Sequence, residues 1–369
     1  MIQCAVVGLG IGLAHCAGYL ASPHAKLYAV CDLMPERLSA VRGTFRQGSM
    51  LVLKSLIGDH EIPERWEDLG VKVYDSYDRL LEDEGVHCIS LCTPDDTHAD
   101  LAVKALEAGK HLLLEKPVDI TLEKAERVRA AAEKAGTYLS LGYEFRVNPV
   151  VMRLRELVET GALGDIQGFS LYHYRTPFKR DKFEKWIQKK SRSGGLLVEE
   201  TCHWFDLARF VTGKDISSVH CVRTADIHPD FDFEDLAYVN GTFSGGGIFQ
   251  ISHALTGFDF SLVINLHGMK GTAWAGLKEN ARSSLDNFST SYYGILATGS
   301  LNAGPEEAAV TTWGIEATEP LNIRDMVMAF VESIHTGTPV PCSLEEGIAS
   351  LAAALAAGRS ADERRIVEL

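Results

Sequence analysis

The first part of the chain alternates between short apolar runs and longer stretches with helical periodicity. Each apolar run is nearly continuous, which is typical of strands buried on both faces of a parallel sheet. The predicted strands are residues 2–7, 26–31, 71–74, 87–92, 111–115 and 137–141. Helical stretches such as residues 98–108 and 121–135 separate them, and each is followed by a glycine that ends it. This rhythm predicts an α/β domain with a doubly wound parallel sheet.

The rest of the chain has a different pattern, in which apolar and polar residues alternate with a period of two. The alternating segments are residues 166–175, 218–225, 235–243, 247–254, 258–267 and 271–275. Such alternation favours an antiparallel sheet in an α+β domain. Because 369 residues exceed one ordinary core, we expect two domains, residues 1–142 and residues 143–369. Residues 49–69 and 277–312 are expected to form insertions or long loops.

Composition and charge exclude several classes of protein. The chain is 46% hydrophobic and 23% charged, as expected of a soluble globular protein. Its net charge of −14 argues against a nucleic-acid-binding surface, which should be basic. The eight cysteines show no CxxC pair, so buried free thiols in a reducing cytoplasm are expected. We see neither a signal peptide nor an apolar stretch long enough to span a membrane.

A cluster of glycines follows the first predicted strand. Gly8, Gly10, Ile11 and Gly12 lead directly into a helical stretch. Glycines in this position let the backbone approach a pyrophosphate, and the helix N-terminus offers amide donors to it. The third glycine comes one residue earlier than in GxGxxG, so a turn with only a structural use is the alternative. The turn predicts a dinucleotide-binding site.

The second predicted strand ends in Asp32. An acidic residue at this point accepts hydrogen bonds from the ribose hydroxyls of the adenosine and repels a 2′-phosphate. The next residues are Leu33 and Met34, so no arginine follows directly. We therefore predict NAD rather than NADP. A helix-capping aspartate before Pro35 is the alternative.

The fifth predicted strand ends in Glu115, Lys116 and Pro117. Ligands bind at the carboxyl ends of the strands in an open parallel sheet. The proline restricts the backbone of the residue before it, so Lys116 is held in place. Lys116 is therefore a candidate to contact a ligand, and a salt bridge at the end of the strand is the alternative.

A second candidate site follows the glycine pair Gly194-Gly195. Here Glu199, His203 and Asp206 have the spacing of one helix face. A histidine beside a carboxylate is suited to general base catalysis, because the carboxylate orients the imidazole and stabilises its charged form. A surface ion pair is one alternative. A metal site is another, but the pattern offers no third convergent ligand, so no metal is predicted.

Arginine and lysine are concentrated in residues 179–192 of this acidic chain, and Trp186 lies among them. A solvated face is one interpretation, and a lid or a patch for an anionic group of a substrate is the other. Arg175, at the end of an alternating segment, and Trp186 are candidate substrate contacts.

Four features together resemble the Gfo/Idh/MocA oxidoreductase family. They are the glycine turn, Asp32, Thr93-Pro94 with His98, and Glu115-Lys116-Pro117. The resemblance runs over essentially the whole chain. It implies an N-terminal Rossmann domain and a C-terminal domain with a large, open, mostly antiparallel sheet. It also implies an NAD(P) cofactor and a homodimer or homotetramer.

The resemblance further implies roles for individual residues. Lys116 would be catalytic, and the Lys116–Pro117 bond would be cis. The cofactor site would be lined by Thr93, Pro94, His98 and Glu115. The second family signature is a glycine pair followed by Asp-x-x-x-His-x-x-Asp. Glu199 stands at the first aspartate position, which is a departure, while His203 and Asp206 match. Tyr143 and Arg146 would lie near the substrate, as would Asp206.

The leading hypothesis is an NAD-dependent dehydrogenase that acts on a secondary alcohol of a sugar, sugar derivative or cyclitol. In it, His203 is the general base, Glu199 orients His203, and Lys116 binds the reacting oxygen. A second hypothesis is redox-assisted glycoside cleavage with recycling of the cofactor. A hypothesis of a different class is a non-catalytic sensor of NAD or sugar.

Overall fold

The structure is a computed structural model that describes residues 1–39, 65–175, 183–256, 261–279, 290–300, 307–317 and 322–369. Its strands are β1 Ile2–Val7, β2 Ala25–Cys31, β3 Lys72–Tyr74, β4 Cys88–Leu91, β5 His111–Leu114, β6 Leu139–Leu141, β7 Ile166–Tyr174, β8 Ile216–Thr224, β9 Leu236–Phe243, β10 Ile248–Ala254, β11 Ser261–Gly268, β12 Gly271–Glu279, β13 Thr290–Thr298, β14 Ala309–Ala317 and β15 Val367–Glu368.

The helices are α1 Gly12–Ala21, α2 Pro35–Ser39, α3 Tyr77–Leu81, α4 His98–Glu107, α5 Leu122–Ala135, α6 Pro149–Glu159, α7 Lys190–Ser193, α8 Leu196–Glu199, α9 Thr201–Thr212, α10 Ile323–Thr336 and α11 Leu344–Glu363. Short 3-10 helices cover Trp66–Leu69, Asp95–Thr97, Glu144–Val147 and Phe183–Gln188. Most of the insertion predicted at residues 49–69 lies outside the described residues, as does the start of the basic stretch 179–192.

The chain divides into two compact units. The first contains Met1–Val147 and Leu321–Ile348, and the second contains Asn148–Pro320 and Ala349–Leu369. This division differs from a single cut after residue 142, because α10 packs in the first unit. Its apolar face, which includes Val327 and Phe330, joins the same core as residues of α1 and β1. An amphipathic pattern shows that a helix is half-buried, but not which core it joins.

A parallel sheet forms the centre of the first unit. Its strand order is β3-β2-β1-β4-β5-β6, and each neighbouring pair is parallel. The order reverses direction between β1 and β4, and a ligand crevice in such a sheet lies at this point, outside the carboxyl ends of the strands. The predicted doubly wound sheet is confirmed.

Two helices begin with side-chain caps. The side chain of Asn148 accepts from the Val150 amide at 2.9 Å, directly before Pro149. The Ser343 amide donates to Glu346 at 2.8 Å, and the Glu346 amide donates back to the Ser343 hydroxyl at 3.3 Å, which is a reciprocal capping box.

A mixed sheet forms the second unit. Its order is β14-β13-β12-β11-β7-β10-β9-β8-β15, and the pairs are antiparallel except for β7 with β10. The predicted α+β class is therefore confirmed. The long loop expected over residues 277–312 is wrong in part, since β13 and β14 lie within or across that range. Both strands are rich in threonine, glycine and alanine, so their apolar alternation is weak.

All eight cysteines are buried free thiols, as predicted. Burial raises the pKa of the Cys31 thiol to about 12 and that of the Cys221 thiol to about 12. Among the described residues, no helix is both long enough and apolar enough to cross a membrane.

Candidate active site

The glycine turn lies between β1 and α1, and its shape requires glycine. Gly8 has φ +88°, and a Cβ placed there would be 2.3 Å from the Cys92 carbonyl oxygen. A Cβ on Gly12 would be 2.7 Å from a methyl carbon of Val6. A Cβ on Gly10 would meet only Arg37, at 3.9 Å, so this part of the turn is open. The turn therefore combines a tight backbone with an accessible surface at the start of α1, where Ile11 is 46% exposed.

Asp32 connects the end of β2 to the glycine turn. Its Oδ2 accepts the Leu9 amide at 2.6 Å, and its Oδ1 accepts the Met34 amide at 2.8 Å. Arg37 lies 3.2 Å from the same Oδ2. The residues directly after Asp32 give no sign of this arginine, because α2 brings it back to the carboxylate from five positions further along the chain.

His98 connects the loops that follow β4 and β5. Its ring is fully buried, with Nδ1 2.7 Å from the Pro117 carbonyl oxygen and Nε2 2.9 Å from the Thr93 carbonyl oxygen. The Thr97 hydroxyl donates to the Thr93 hydroxyl at 2.8 Å. These bonds fix the two strand ends relative to each other. For His98, Thr93 and Pro94, direct contact with a cofactor stays a prediction.

Glu115, at the end of β5, belongs to a buried chain of hydrogen bonds. Its Oε1 is 2.9 Å from His15 Nε2, and His15 Nδ1 is 3.0 Å from the Ser90 hydroxyl. That hydroxyl is 2.6 Å from the Tyr19 hydroxyl. Burial by itself raises the pKa of Glu115, but the hydrogen bond and charge of His15, together with Lys116, hold it below its usual value. His15 was not predicted as a site residue, although its position directly after the glycine turn, on α1, is visible in the sequence.

Lys116 is half-buried and follows this anchored carboxylate directly. Its amide donates to Glu115 Oε2 at 3.2 Å, and the Lys116–Pro117 peptide is cis. The backbone of the candidate catalytic lysine is therefore held by the side chain before it. This arrangement puts an ammonium-bearing residue at the sheet edge where ligands of such folds bind.

Tyr143 and Arg146 are both buried in the first unit. Arg146 Nη1 is 2.6 Å from Glu346 Oε1 and donates to the Pro341 carbonyl at 3.2 Å. Burial raises the pKa of Glu346, but the charge of Arg146 and its hydrogen bond hold it below its usual value. The structure thus gives Arg146 a role in holding residues 341–346, and substrate contact by either residue stays a prediction.

The second candidate site departs from the single helix that the pattern predicted. Gly194 and Gly195 have positive φ, and α8 begins after them. Glu200, at φ −123° and ψ −41°, then separates α8 from α9. Glu199 therefore ends one short helix, while His203 lies in the first turn of the next. The prediction of one continuous helix is wrong at Glu200, where the backbone leaves helical geometry.

All three residues of the predicted helix face are buried. Glu199 and His203 are 7% and 6% exposed, and Asp206 is fully buried. Asp206 Oδ1 accepts the Ser350 hydroxyl at 3.2 Å, which gives it a structural contact within the second unit. The catalytic roles of Glu199 and His203 and the substrate contact of Asp206 stay predictions.

Arg175 and Trp186 both have structural contacts in the second unit. Arg175 Nη1 is 2.7 Å from Glu200 Oε1. Trp186 packs against a small apolar cluster that includes Leu196 and Phe233. Substrate contact by either stays a prediction.

The buried polar surroundings of Glu200 were not predicted from the sequence. His173 and His253 are register partners on the parallel strands β7 and β10, and both are fully buried. Burial by itself raises the pKa of Glu200, but Arg175 and the two histidines hold it well below its usual value. Parallel pairing of strands far apart in sequence gives no local signal, so no pattern brought these residues together.

Comparisons with known proteins agree with this architecture. A family model described as an oxidoreductase family with an NAD-binding Rossmann fold, GFO_IDH_MocA, matches residues 2–143, and a model of the GFO/IDH/MocA C-terminal domain matches residues 151–274. An uncharacterized oxidoreductase of Bacillus subtilis, YrbE, is 27% identical over 363 residues, which cover 96% of this chain and 93% of that protein.

Two named dehydrogenases are also similar over the full chain. Inositol 2-dehydrogenase of Rhizobium meliloti is 25% identical over 375 residues, which cover 100% of this chain and 99% of that protein. The structure of levoglucosan dehydrogenase with NADH and L-sorbose has a TM-score of 0.80 at 20% identity, and the match covers 100% of this chain and 98% of that one. The latter similarity supports the fold.

Proposed function

Because the chain belongs to the Gfo/Idh/MocA family of NAD-binding oxidoreductases, we propose that it transfers hydride between NAD and a secondary alcohol of a sugar, sugar derivative or cyclitol. The observation that carries this proposal is the end of β5, where Lys116 follows a glutamate fixed by His15. The named relatives that act on inositol and levoglucosan support the substrate class.

Residues of the first unit fit a dinucleotide. The open surface at Gly10 and the start of α1 suit a pyrophosphate, and the close packing of Gly8 on Cys92 and of Gly12 on Val6 fixes the shape of the turn. Asp32 would accept hydrogen bonds from the ribose hydroxyls and repel a 2′-phosphate, which favours NAD. When bound, the nicotinamide accepts or donates the hydride.

In this proposal, three side chains carry the proton chemistry. His203 accepts the proton of the substrate hydroxyl as general base, and Glu199 orients its imidazole. Lys116 hydrogen-bonds the reacting oxygen and stabilises the negative charge that develops there. The protein contributes orientation and electrostatics.

The test is turnover with NAD against a panel of sugars, glycosides and cyclitols, with NADP in parallel. Lys116→Ala and His203→Ala should each lose about 10²–10⁴-fold in kcat, the usual contribution of a positioned acid or base, while NAD affinity stays within a few-fold. Absorbance of NADH reports turnover, and calorimetry reports binding of NAD. Lys104→Ala and His220→Gln are matched controls, because both residues are exposed at the surface of their units.

Three outcomes would contradict parts of the proposal. Unchanged turnover in one variant would remove that residue from the mechanism. Cleavage of a glycoside without net NADH would favour redox-assisted glycoside cleavage. Binding of NAD without turnover on any member of the panel would favour a sensor.

We further propose that the chain forms a homodimer or homotetramer through the sheet of the second unit. Tyr172, Tyr238 and Val222 form one row across that sheet with Ser252 between them, and the three are 37%, 44% and 62% exposed. Exposed apolar and aromatic side chains grouped in this way are typical of an interface. Light scattering should give a mass of two or four chains, and Val222→Lys should lower it, whereas a monomeric wild type would refute the proposal.

A further inference from the structure

Three buried ligand-type side chains converge in the second unit. His173 lies on β7, His253 on β10, and Glu200 at the break between α8 and α9. Their exposures are 0%, 0% and 6%. One nitrogen of each imidazole and a carboxylate oxygen lie within 4.8 Å of one another. His173 Nε2 is 3.6 Å from Glu200 Oε1, and His253 Nε2 is 3.9 Å from Glu200 Oε2.

The outer hydrogen bonds of the two imidazoles determine where their protons lie. His173 Nδ1 is 3.0 Å from the Ser261 carbonyl oxygen, which only accepts, so Nδ1 carries the proton. The Thr201 hydroxyl donates its one proton to the Leu196 carbonyl at 3.0 Å. It must therefore accept from His253 Nδ1, at 2.8 Å. In the neutral form of both rings, each Nε2 presents a lone pair toward Glu200.

With both rings neutral, the charges of this cluster favour a cation at its centre. Two nitrogen lone pairs and a carboxylate then face a common point, and such groups repel one another at short range. Arg175 balances the charge of Glu200 from the Oε1 side, at 2.7 Å. The Oε2 atom accepts no hydrogen bond among the described residues. A cation at the centre would interact favourably with all three groups.

The donor set and its dimensions fit a transition metal. Two histidine nitrogens and one carboxylate are the protein ligands of many zinc sites that keep an open position. Bonds of about 2.0–2.1 Å in tetrahedral geometry place ligand atoms about 3.3 Å apart. His173 Nε2 lies 3.6 Å from Glu200 Oε1 and His253 Nε2 lies 3.9 Å from Glu200 Oε2, so small side-chain shifts would bring both nitrogens and one carboxylate oxygen to this spacing. Ligating histidines also usually donate their second N–H to an oxygen, as both rings do here.

We propose that His173 Nε2, His253 Nε2 and the Glu200 carboxylate bind one divalent transition-metal ion of the Zn²⁺ class. Ser261 and Thr201 orient the two imidazoles, and Arg175 holds the carboxylate at Oε1. A water or a small ligand completes the coordination. The proposal does not depend on the dehydrogenase activity, and it departs from the sequence pattern, which indicated no metal. A proton shared between an imidazole and Glu200 is the competing occupant of the same centre.

The first test is metal binding by the full chain, purified with a tag that contains no histidine. Elemental analysis should find about one metal ion per chain. After removal of metal with a chelator, calorimetry with Zn²⁺ should show one tight site, and Co²⁺ should give visible ligand-field absorption. His173→Gln and His253→Gln should each weaken Zn²⁺ binding by about 100-fold or more, since each removes a ligand.

Two further variants separate ligation from general damage to the fold. Thr201→Val keeps the shape of the side chain but removes the acceptor for His253, and it should weaken Zn²⁺ about 10–100-fold, as is usual for an outer partner of a ligand. His220→Gln removes an exposed histidine on β8 and should bind Zn²⁺ like wild type. Zn²⁺ should raise the Tm of wild type and His220→Gln, because a ligand that binds only the folded state stabilises it.

The proposal is overturned if stripped wild-type protein binds Zn²⁺ no more tightly than His173→Gln does. It is also overturned if His220→Gln weakens binding as much as the ligand variants do, because the sites would then be surface histidines. Metal-free protein with a shared proton would instead show one charged imidazole by NMR and no effect of the chelator on Tm.

Discussion

At the scale of single residues, Asp32 has two functions that compete for one carboxylate. It holds the glycine turn through the Leu9 amide, and it is paired with Arg37. The Asp32 carboxylate and the Arg37 guanidinium lie just after β2, where the adenosine ribose of a dinucleotide is expected. The arginine is therefore already near the place where a 2′-phosphate would bind.

This pairing leads to a prediction about the choice of cofactor. Asp32→Ser should shift the ratio of kcat/KM with NADP to kcat/KM with NAD by about 10–100-fold toward NADP. The variant removes the carboxylate that repels the 2′-phosphate, and Arg37 can then pair with that phosphate. A charged hydrogen bond of this kind contributes about 1.5–3 kcal/mol. Steady-state kinetics with both cofactors measures the ratio. Asp32→Ser with Arg37→Gln is the control, and an equal gain in it would show that Arg37 plays no part.

Residues were predictable from the sequence where a local pattern marked them. Asp32 and Lys116 each follow an apolar run, so the carboxyl end of a strand could be located. His15 and Glu115 are separated by 100 positions in the chain, and their contact depends on how α1 packs on the sheet. The same holds for His173 and His253, which only the pairing of β7 with β10 brings together.

At the scale of elements, α1 and α10 pack unusually closely. A Cβ built on Gly18 would be 2.5 Å from Val327 Cβ. The glycine therefore lets α10 approach α1. The helical stretch after the glycine turn was predicted, but its contact with α10 could not be, since a glycine within a helix has several uses.

A double-mutant cycle tests this contact. Gly18→Ala should destabilise the protein by about 1–3 kcal/mol, because the added methyl group overpacks the contact. The higher helix propensity of alanine should offset about 1 kcal/mol of this loss. Val327→Ala alone should cost about 1–3 kcal/mol for the lost methyl groups. The double variant should be more stable than the sum predicts, by about 0.5–3 kcal/mol. The reason is that Val327→Ala removes Cγ1 and Cγ2, which would lie 2.8 and 3.1 Å from the added Cβ. Urea unfolding measures each value.

The matched control pairs Gly18→Ala with Val128→Ala, which truncates a buried valine on α5. The two effects should add, since Val128 is not among the atoms nearest to Gly18. Additivity in the Val327 cycle as well would contradict the proposed contact.

Other differences between pattern and structure can be assigned to particular residues. The helix predicted after Gly194-Gly195 breaks at Glu200, whose carboxylate is paired with Arg175. The strands β13 and β14 were not predicted because threonine, glycine and alanine give little contrast between faces. The hydrophobic pattern predicted helices and strands well where one face is clearly apolar. It predicted them poorly where tertiary contacts determine where an element begins or ends.

At the scale of the whole molecule, two carboxylates couple stability to pH. The pKa values of Glu115 and Glu346 are below their usual range, because His15 and Arg146 stabilise the charged forms more than burial opposes them. In the unfolded chain these two glutamates become protonated at about pH 4.3, whereas in the folded chain they become protonated only at lower pH. Their stabilising contributions are therefore present above about pH 4.3 and are lost as pH falls through the folded pKa values.

We expect Glu346→Gln to reduce this dependence on pH. The variant should be less stable than wild type at pH 7, because it breaks the pair with buried Arg146. Its stability should then fall less steeply than that of wild type below pH 5. Urea midpoints from pH 7 to pH 3 measure both effects. Glu84→Gln, which changes an exposed carboxylate, should keep the wild-type slope, and parallel curves for Glu346→Gln would contradict the assignment.

The burial of every thiol makes the chain its own reporter of unfolding. The first unit contains six cysteines (4, 16, 31, 88, 92 and 342), and the second contains Cys202 and Cys221. A thiol-specific reagent attacks the thiolate and needs access to it, so modification requires opening of the structure around each sulfur. Pulse labelling followed by peptide mapping would therefore time the opening of the two units separately within one unmodified protein.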